Sequence, residues 1–273
     1  LEVPESALSY YQTATGWCDF KRISAHRELV CRPATANAIN TEAKRRLVLN
    51  SEGEWDVESM PDWCELSQTS GDKKTELTLT IKQMAQGSEP RSGEIVFKLK
   101  DKDYTHKCKV TQYNYEYAED QVLTLQKATK GKNGGINLVF LGDGYDGKDI
   151  SEGKSLANMQ EQVEHFFGIE PYKTYRDYFN VYTAIALSNE SGVGTVNTPK
   201  YIKFSTSFTG GVGLHGDTDY IFQYVLGMNT SVTTENLDQT TIIVTPNSTE
   251  YSGICYMWDS GAAIAYTAMS THA

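Results

Sequence analysis

The run from Asn137 to Tyr145, Asn-Leu-Val-Phe-Leu-Gly-Asp-Gly-Tyr, constrains the fold more than any other stretch of this chain. Leu138 to Leu141 are four successive apolar residues with no polar face to turn toward water. They predict a strand covered on both sides, as in a parallel or mixed sheet flanked by helices. An acidic, glycine-rich turn follows, and beyond it the apolar positions Leu156, Met159, Val163, Phe166 and Phe167 recur at steps of three and four. That spacing predicts an amphipathic helix lying on the sheet, with Ser151 as its cap and Gly168 as its stop. A strand from Phe179 to Leu187, a helix from Tyr220 to Met228 and a strand from Thr240 to Thr245 continue the alternation, which is α/β order.

The first half of the chain follows a different period. Leu47 and Leu49, Trp55 and Val57, then Leu77, Leu79 and Ile81 alternate with polar neighbours, and Ile95, Phe97, Leu99, Cys108 and Val110 continue the pattern. With turn signals at Glu52-Gly53, Ser70-Gly71 and from Ser88 to Gly93, this predicts short antiparallel strands closing into a β-sandwich. The phase of Trp55 with Val57 assigns its indole to the core.

The formal net charge is −10, and basic residues are dispersed apart from the run Lys44 to Arg46. No electrostatic footprint for nucleic acid exists. No run of eighteen apolar residues appears, so an integral membrane protein is not expected. Five cysteines, Cys18, Cys31, Cys64, Cys108 and Cys255, are too scattered for a zinc knuckle or a redox Cys-x-x-Cys pair. Pairing among the first four and burial as reduced thiols both stay open.

The run from Trp55 through Pro61 to Trp63, Ser67 to Gly71, the Thr75 to Ile81 strand, Arg91 and the closing Val110-Thr-Gln112 together resemble a BACON domain. The resemblance implies an immunoglobulin-like module that stands beside catalytic domains in exported bacterial proteins. The second half resembles the bacterial IgA metallopeptidase family. It does so through Asn137 to Tyr145, Val163 to Phe167, Glu170 to Tyr172, Tyr178 to Tyr182, Ser188 to Gly192, Thr241 to Val244 and Tyr251 to Gly253. This resemblance implies a zinc-dependent endopeptidase in which a His-Glu-x-x-His helix grips the metal and supplies a general base. His26, His106, His165, His215 and His272 never fall in that pattern. Residues 262–273 read as helix or loop, and the metal helix is expected soon after them, so the sequence reads as a truncated front portion of the enzyme, with a natural noncatalytic relic as the alternative.

The resulting expectation is multidomain. An extension (1–28) and an all-β immunoglobulin-like sandwich (29–116) precede an incomplete α/β metallopeptidase-like domain (117–273) of an extracytoplasmic or envelope protein. Zinc is the expected cofactor of the complete protein and a protein or glycoprotein its substrate. An alternative is a noncatalytic carbohydrate- or mucin-binding adhesion protein, with Trp17, Trp55, Trp63, Tyr104, Tyr113, Tyr115 and Tyr117 as stacking candidates.

Substrate-binding candidates follow from position. Glu190, Ser191 and Gly192, and Tyr251, Ser252 and Gly253, come after apolar strands, where α/β domains open their clefts. Three motifs compete within the same half. Gly142 to Gly147 formally matches a dinucleotide fingerprint, but Asp143 and Asp146 would face the pyrophosphate. Asp143, Asp146 and Asp149 could gather a hard cation, though without EF-hand spacing; capping of the following amides fits the turn more simply. Asp259-Ser260-Gly261 with His215 and Asp217 imitates a serine-protease set without a Gly-x-Ser-x-Gly elbow. His165 reads as a packed helix residue. Asn189, Asn229 and Asn247 begin formal glycan-acceptor triplets.

Overall fold

The computed structural model describes residues 2–4, 8–17, 23–26, 29–131 and 134–269. Cys18, His272 and the end of the 262–273 tail lie outside the described residues. The chain divides into two compact units. One comprises Leu1–Ala34, Lys44–Ile81 and Gly93–Val110; the other comprises Thr35–Ala43, Lys82–Ser92 and Thr111–Ala273.

Near the amino terminus β1 (Glu2–Pro4) pairs in parallel with β2 (Ser24–His26), and the short helix α1 (Leu8–Thr13) lies between them in sequence. Nine strands follow: β3 (Leu29–Arg32), β4 (Thr35–Ile39), β5 (Ala43–Ser51), β6 (Trp55–Ser59), β7 (Cys64–Leu66), β8 (Ser70–Gly71), β9 (Thr75–Ile81), β10 (Arg91–Leu99) and β11 (Thr105–Tyr113). They build two sheets, ordered β3-β5-β9-β7 and β4-β11-β10-β6-β8. The period-two residues Leu47, Leu49, Trp55, Leu77, Leu79, Ile81, Ile95, Phe97, Cys108 and Val110 are all buried, as alternation on a half-covered sheet requires. Ser70-Gly71, expected as a turn, instead pairs with Asp56 and Trp55. The packing explains it: a Cβ on Gly71 would sit 3.0 Å from the Trp55 ring, so the missing side chain is what lets the strand lie against the indole.

In the second unit the Arg91 guanidinium donates to Gln112 Oε1 at 2.8 Å from Nε and 2.6 Å from Nη2. The fully buried Gln112 in turn donates from Nε2 to the Ile39 carbonyl at 3.1 Å. The arginine and glutamine singled out in the sequence are therefore one bonded pair, which satisfies a buried amide that would otherwise be costly.

The remaining strands are β12 (Val122–Gln126), β13 (Ile136–Asp143), β14 (Phe179–Ala184), β15 (Gly194–Thr195), β16 (Ser207–Gly210), β17 (Gly213–His215), β18 (Thr240–Pro246), β19 (Gly253–Met257) and β20 (Ala263–Thr267). Six of them form a sheet ordered β12-β14-β13-β18-β20-β19, in which β14, β13, β18 and β20 run parallel. β15, β16 and β17 make a small separate sheet. The helices are α2 (Gly147–Ser151), α3 (Lys154–Phe166) and α4 (Thr218–Gly227).

The Leu138 to Leu141 run behaves as its composition demands. Leu138 and Phe140 pack into one cluster with Met159 and Val163 of α3. Val139 and Leu141 pack into another with Ile221 and Val225 of α4. Each face of the sheet thus has its own helix and core. At about 1.5 to 3 kcal/mol per buried aliphatic side chain, this burial is what holds two short helices that would not persist alone. The expected helix is α3, which carries Leu156, Met159, Val163 and Phe166, but its start differs: Ser151 ends the separate helix α2, which Asp146 caps, and α3 begins after Gly153 takes a left-handed φ of 75°. The 262–273 tail also differs from expectation, since Ala263–Thr267 is a strand with Ile264 and Tyr266 buried.

Candidate functional site at the strand ends

The parallel register places Asp143 opposite Pro246. The residues that follow β13 and β18 therefore meet, and the loop after β14 joins them. Gly144 turns the chain with a φ of 73°, and a Cβ there would lie 2.6 Å from the Gly192 carbonyl oxygen. Only glycine allows both the left-handed turn and that approach. The Gly192 amide donates to the Gly144 carbonyl at 2.8 Å, tying the loop of the candidates Glu190, Ser191 and Gly192 to the end of β13.

Asp143 is fully buried. Its carboxylate accepts from the backbone amides of Gly144 at 2.9 Å, Phe204 at 3.1 Å and Thr206 at 3.0 Å. Burial pushes its pKa above the ordinary carboxylate value, and these hydrogen bonds oppose that rise. Asp146 caps α2 by accepting from the amides of Lys148 and Asp149. Asp149 accepts from Lys154 Nζ at 3.0 Å, Ser191 Oγ at 2.6 Å and Asn247 Nδ2 at 3.0 Å. The acidic turn is thus occupied by amides, a hydroxyl and a lysine, which is the capping role. Among the described residues there is no group of three or more His, Cys, Asp or Glu that could hold a metal ion.

Asn247 is the residue that sequence reasoning missed, read there only as the start of a glycan-acceptor triplet. Its amide bonds the Gly144 carbonyl at 2.9 Å and Ser191 Oγ at 3.1 Å besides Asp149, joining three segments. Its place one residue beyond a buried strand was the available signal. Glu190 accepts from the Tyr201 amide, and Lys200 Nζ donates to the Ser191 carbonyl. Tyr145 is buried with its hydroxyl bonded to Asn158 at 2.9 Å, and burial raises its pKa to about 12.

Tyr251, Ser252 and Gly253 lie apart from this knot. They line a cavity of about 400 Å³ whose walls include Phe140, Phe166, Ile169 and Ile243. Ser252 Oγ donates to the Val212 carbonyl at 2.8 Å, while Tyr251 is 63% exposed. Gly253 opens β19, the outermost strand of the sheet, opposite Thr267 at the carboxyl end of β20. His165 borders the same cavity with its side chain 47% exposed, contrary to the packed position expected of it. The serine-protease imitation dissolves: Asp217 caps α4 through the Tyr220 amide at 3.0 Å, and Ser260 Oγ accepts from the Ala262 amide at 3.4 Å. Of the aromatic candidates for sugar stacking, Trp55 is sealed in the core, and Tyr113, Tyr115 and Tyr117 pack against the cluster around α3.

These features define a chain of mostly β structure whose candidate cleft gathers where parallel strands end. The family model for IgA peptidase M64 matches residues 123–271, more than half of the chain, and that for BACON, an N-terminal binding domain, matches residues 53–113. The chain belongs to the IgA peptidase M64 family. No curated protein matches it.

Among solved structures, a Bacteroides ovatus xyloglucanase in complex with a heptasaccharide is 18% identical over 40% of this chain, with a TM-score of 0.30. The chain covers only 26% of that enzyme. A protein of unknown function from Porphyromonas gingivalis is 14% identical over 42% of this chain and 59% of its own, with a TM-score of 0.28. A glycoside hydrolase from Clostridium perfringens is 10% identical over 85% of this chain and 47% of its own, with a TM-score of 0.25. Scores this low establish no shared architecture. Among the described residues no helix is long and apolar enough to cross a membrane.

Proposed function

We propose that this chain is the substrate-presenting part of a zinc-dependent endopeptidase that acts outside the cytoplasm on protein or glycoprotein, with the β-rich domain as its positioning module. Membership of the IgA peptidase M64 family is the observation that carries the reading. The described residues do not fit a zinc ion, so no hydrolytic step is assigned to them. Their task in this proposal is to hold an extended peptide. β19 is the edge of its sheet, with Gly253, Cys255 and Met257 exposed, and that edge is where this proposal adds a further strand. Peptide can pair with such an edge through backbone hydrogen bonds, with side chains reaching adjacent pockets for selectivity. Tyr251, Ser252 and Gly253 would contact that peptide beside the apolar cavity. Glu190, Ser191 and Gly192 would shape the neighbouring rim.

The test is proteolysis by the full gene product supplied with zinc, using casein and immunoglobulin A as substrates. Cleavage that stops with chelator and returns with zinc is expected. Nothing lies within 4 Å of a Cβ built on Gly253, so Gly253→Trp should fold normally. It should raise KM on the order of tenfold with little change in kcat, by obstructing the strand edge. A full gene product that cuts no protein with zinc present would refute the enzymatic reading, and an unchanged KM would refute the role of β19.

A further inference from the structure

Cys31 on β3 and Cys108 on β11 belong to different sheets of the first unit, yet their sulfurs converge on one atom. Each Sγ lies 3.7 Å from the Pro33 carbonyl oxygen. Both side chains are sealed from solvent, at 1% and 0% exposure. The proximity of the Cys31 thiol, together with burial, drives the Cys108 thiol far above its ordinary pKa, which marks two thiols in each other's immediate surroundings. Cys64 is also buried, but it sits on β7, three strand spacings from β3, or about 14 Å at the usual inter-strand distance. Cys255 is exposed and belongs to the second unit.

We propose that Cys31 and Cys108 are a disulfide site, joined when the chain folds in an oxidising compartment to make a covalent staple between the two sheets. Each thiol gives up a proton and the two sulfurs form one bond. The two electrons pass to the disulfide of a thiol-exchange oxidant, a protein or oxidised glutathione, which leaves as two thiols. Because neither sulfur is accessible in the folded unit, the exchange takes place before the sheets close. Once formed, the bond is shielded from reductants by the same burial. It closes a loop running from residue 31 to residue 108, long enough for a cross-link to restrict the unfolded chain strongly.

The full chain is refolded from denaturant in a glutathione redox buffer, alkylated under denaturing conditions, digested without reductant and mapped by mass spectrometry. The expected product joins the Cys31 peptide to the Cys108 peptide and leaves Cys64 alkylated. Reduction should then lower the Tm of the first unit by on the order of 10 °C. Cys31→Ala and Cys108→Ala should each abolish that redox-dependent shift, and Cys64→Ala should keep it. Alkylation of both Cys31 and Cys108 after oxidative refolding, or Cys31 joined to another cysteine, overturns the proposal. So does loss of the shift in Cys64→Ala. The peptide map of the unaltered chain decides the matter even if a variant fails to fold.

Discussion

Removing the Asp143 carboxylate tests whether the strand-end loops are held in place by one buried acceptor. The group takes three backbone N–H donors, from Gly144, Phe204 and Thr206, at 2.9 to 3.1 Å with no solvent exposure. Asp143→Ala strands all three. At about 1 to 3 kcal/mol for each buried donor left unpaired, the gross loss is roughly 3 to 9 kcal/mol. Relief from burying a carboxylate and entry of water return part of it, so a net loss of about 3 to 5 kcal/mol is expected, a large share of a domain's usual stability. Asp143→Asn keeps one oxygen for Gly144 and Phe204 but sets an amide donor against the Thr206 N–H, for a smaller loss of about 1 to 3 kcal/mol. The folded pKa of Asp143 is raised above its ordinary value of 3.8. Its contribution to stability is therefore full below that value and fades as pH rises through the folded pKa, so the penalty of Asp143→Asn should shrink toward neutral and alkaline pH. Urea unfolding followed by circular dichroism gives the free energies, and hydrogen exchange at the Phe204 and Thr206 amides localises them. A loss under about 1 kcal/mol for Asp143→Ala, with those amides still protected, would show that the carboxylate is not what anchors the loops.

Three further outcomes follow from single contacts. Gly144→Ala should cost about 2 kcal/mol or more in thermal unfolding, because a Cβ would have to sit 2.6 Å from the Gly192 carbonyl oxygen at a φ of 73°. Arg91→Ala should cost about 2 to 3 kcal/mol in urea unfolding by removing both donors to the buried Gln112 amide oxygen. Ser191→Ala loses the 2.6 Å bond to Asp149 and the 3.1 Å bond to Asn247. It should lower stability by only about 1 to 2 kcal/mol and leave kcat of the full gene product unchanged, whereas a serine nucleophile would lose activity by orders of magnitude.

The sheet that carries the strand ends was legible because burial on both faces writes itself as an unbroken apolar run, and Leu138 to Leu141 divide between two cores as such a run must. What escaped was the side of the sheet where that signal fades. Ala263–Thr267 is short, two of its five residues are alanines with high helix propensity, and only Ile264 and Tyr266 betray the period of two. In β19 the buried face is itself half exposed, so polarity and burial lose their contrast. The candidate loops could be named from their order in the chain, but their bonding could not. It depends on the register that sets Asp143 beside Pro246 and thereby brings Asn247 onto Gly144 and Ser191. The same register explains why an acid-rich turn needs no cation. Parallel strands end with their following amides pointing into a shared space, and carboxylates placed there can be satisfied by N–H groups before any metal is required. Asp146 takes that route, Asp143 takes it with the Ser188 hydroxyl added at 3.4 Å, and Asp149 adds a lysine and a hydroxyl. The turn is therefore a clamp that fixes where the loops emerge.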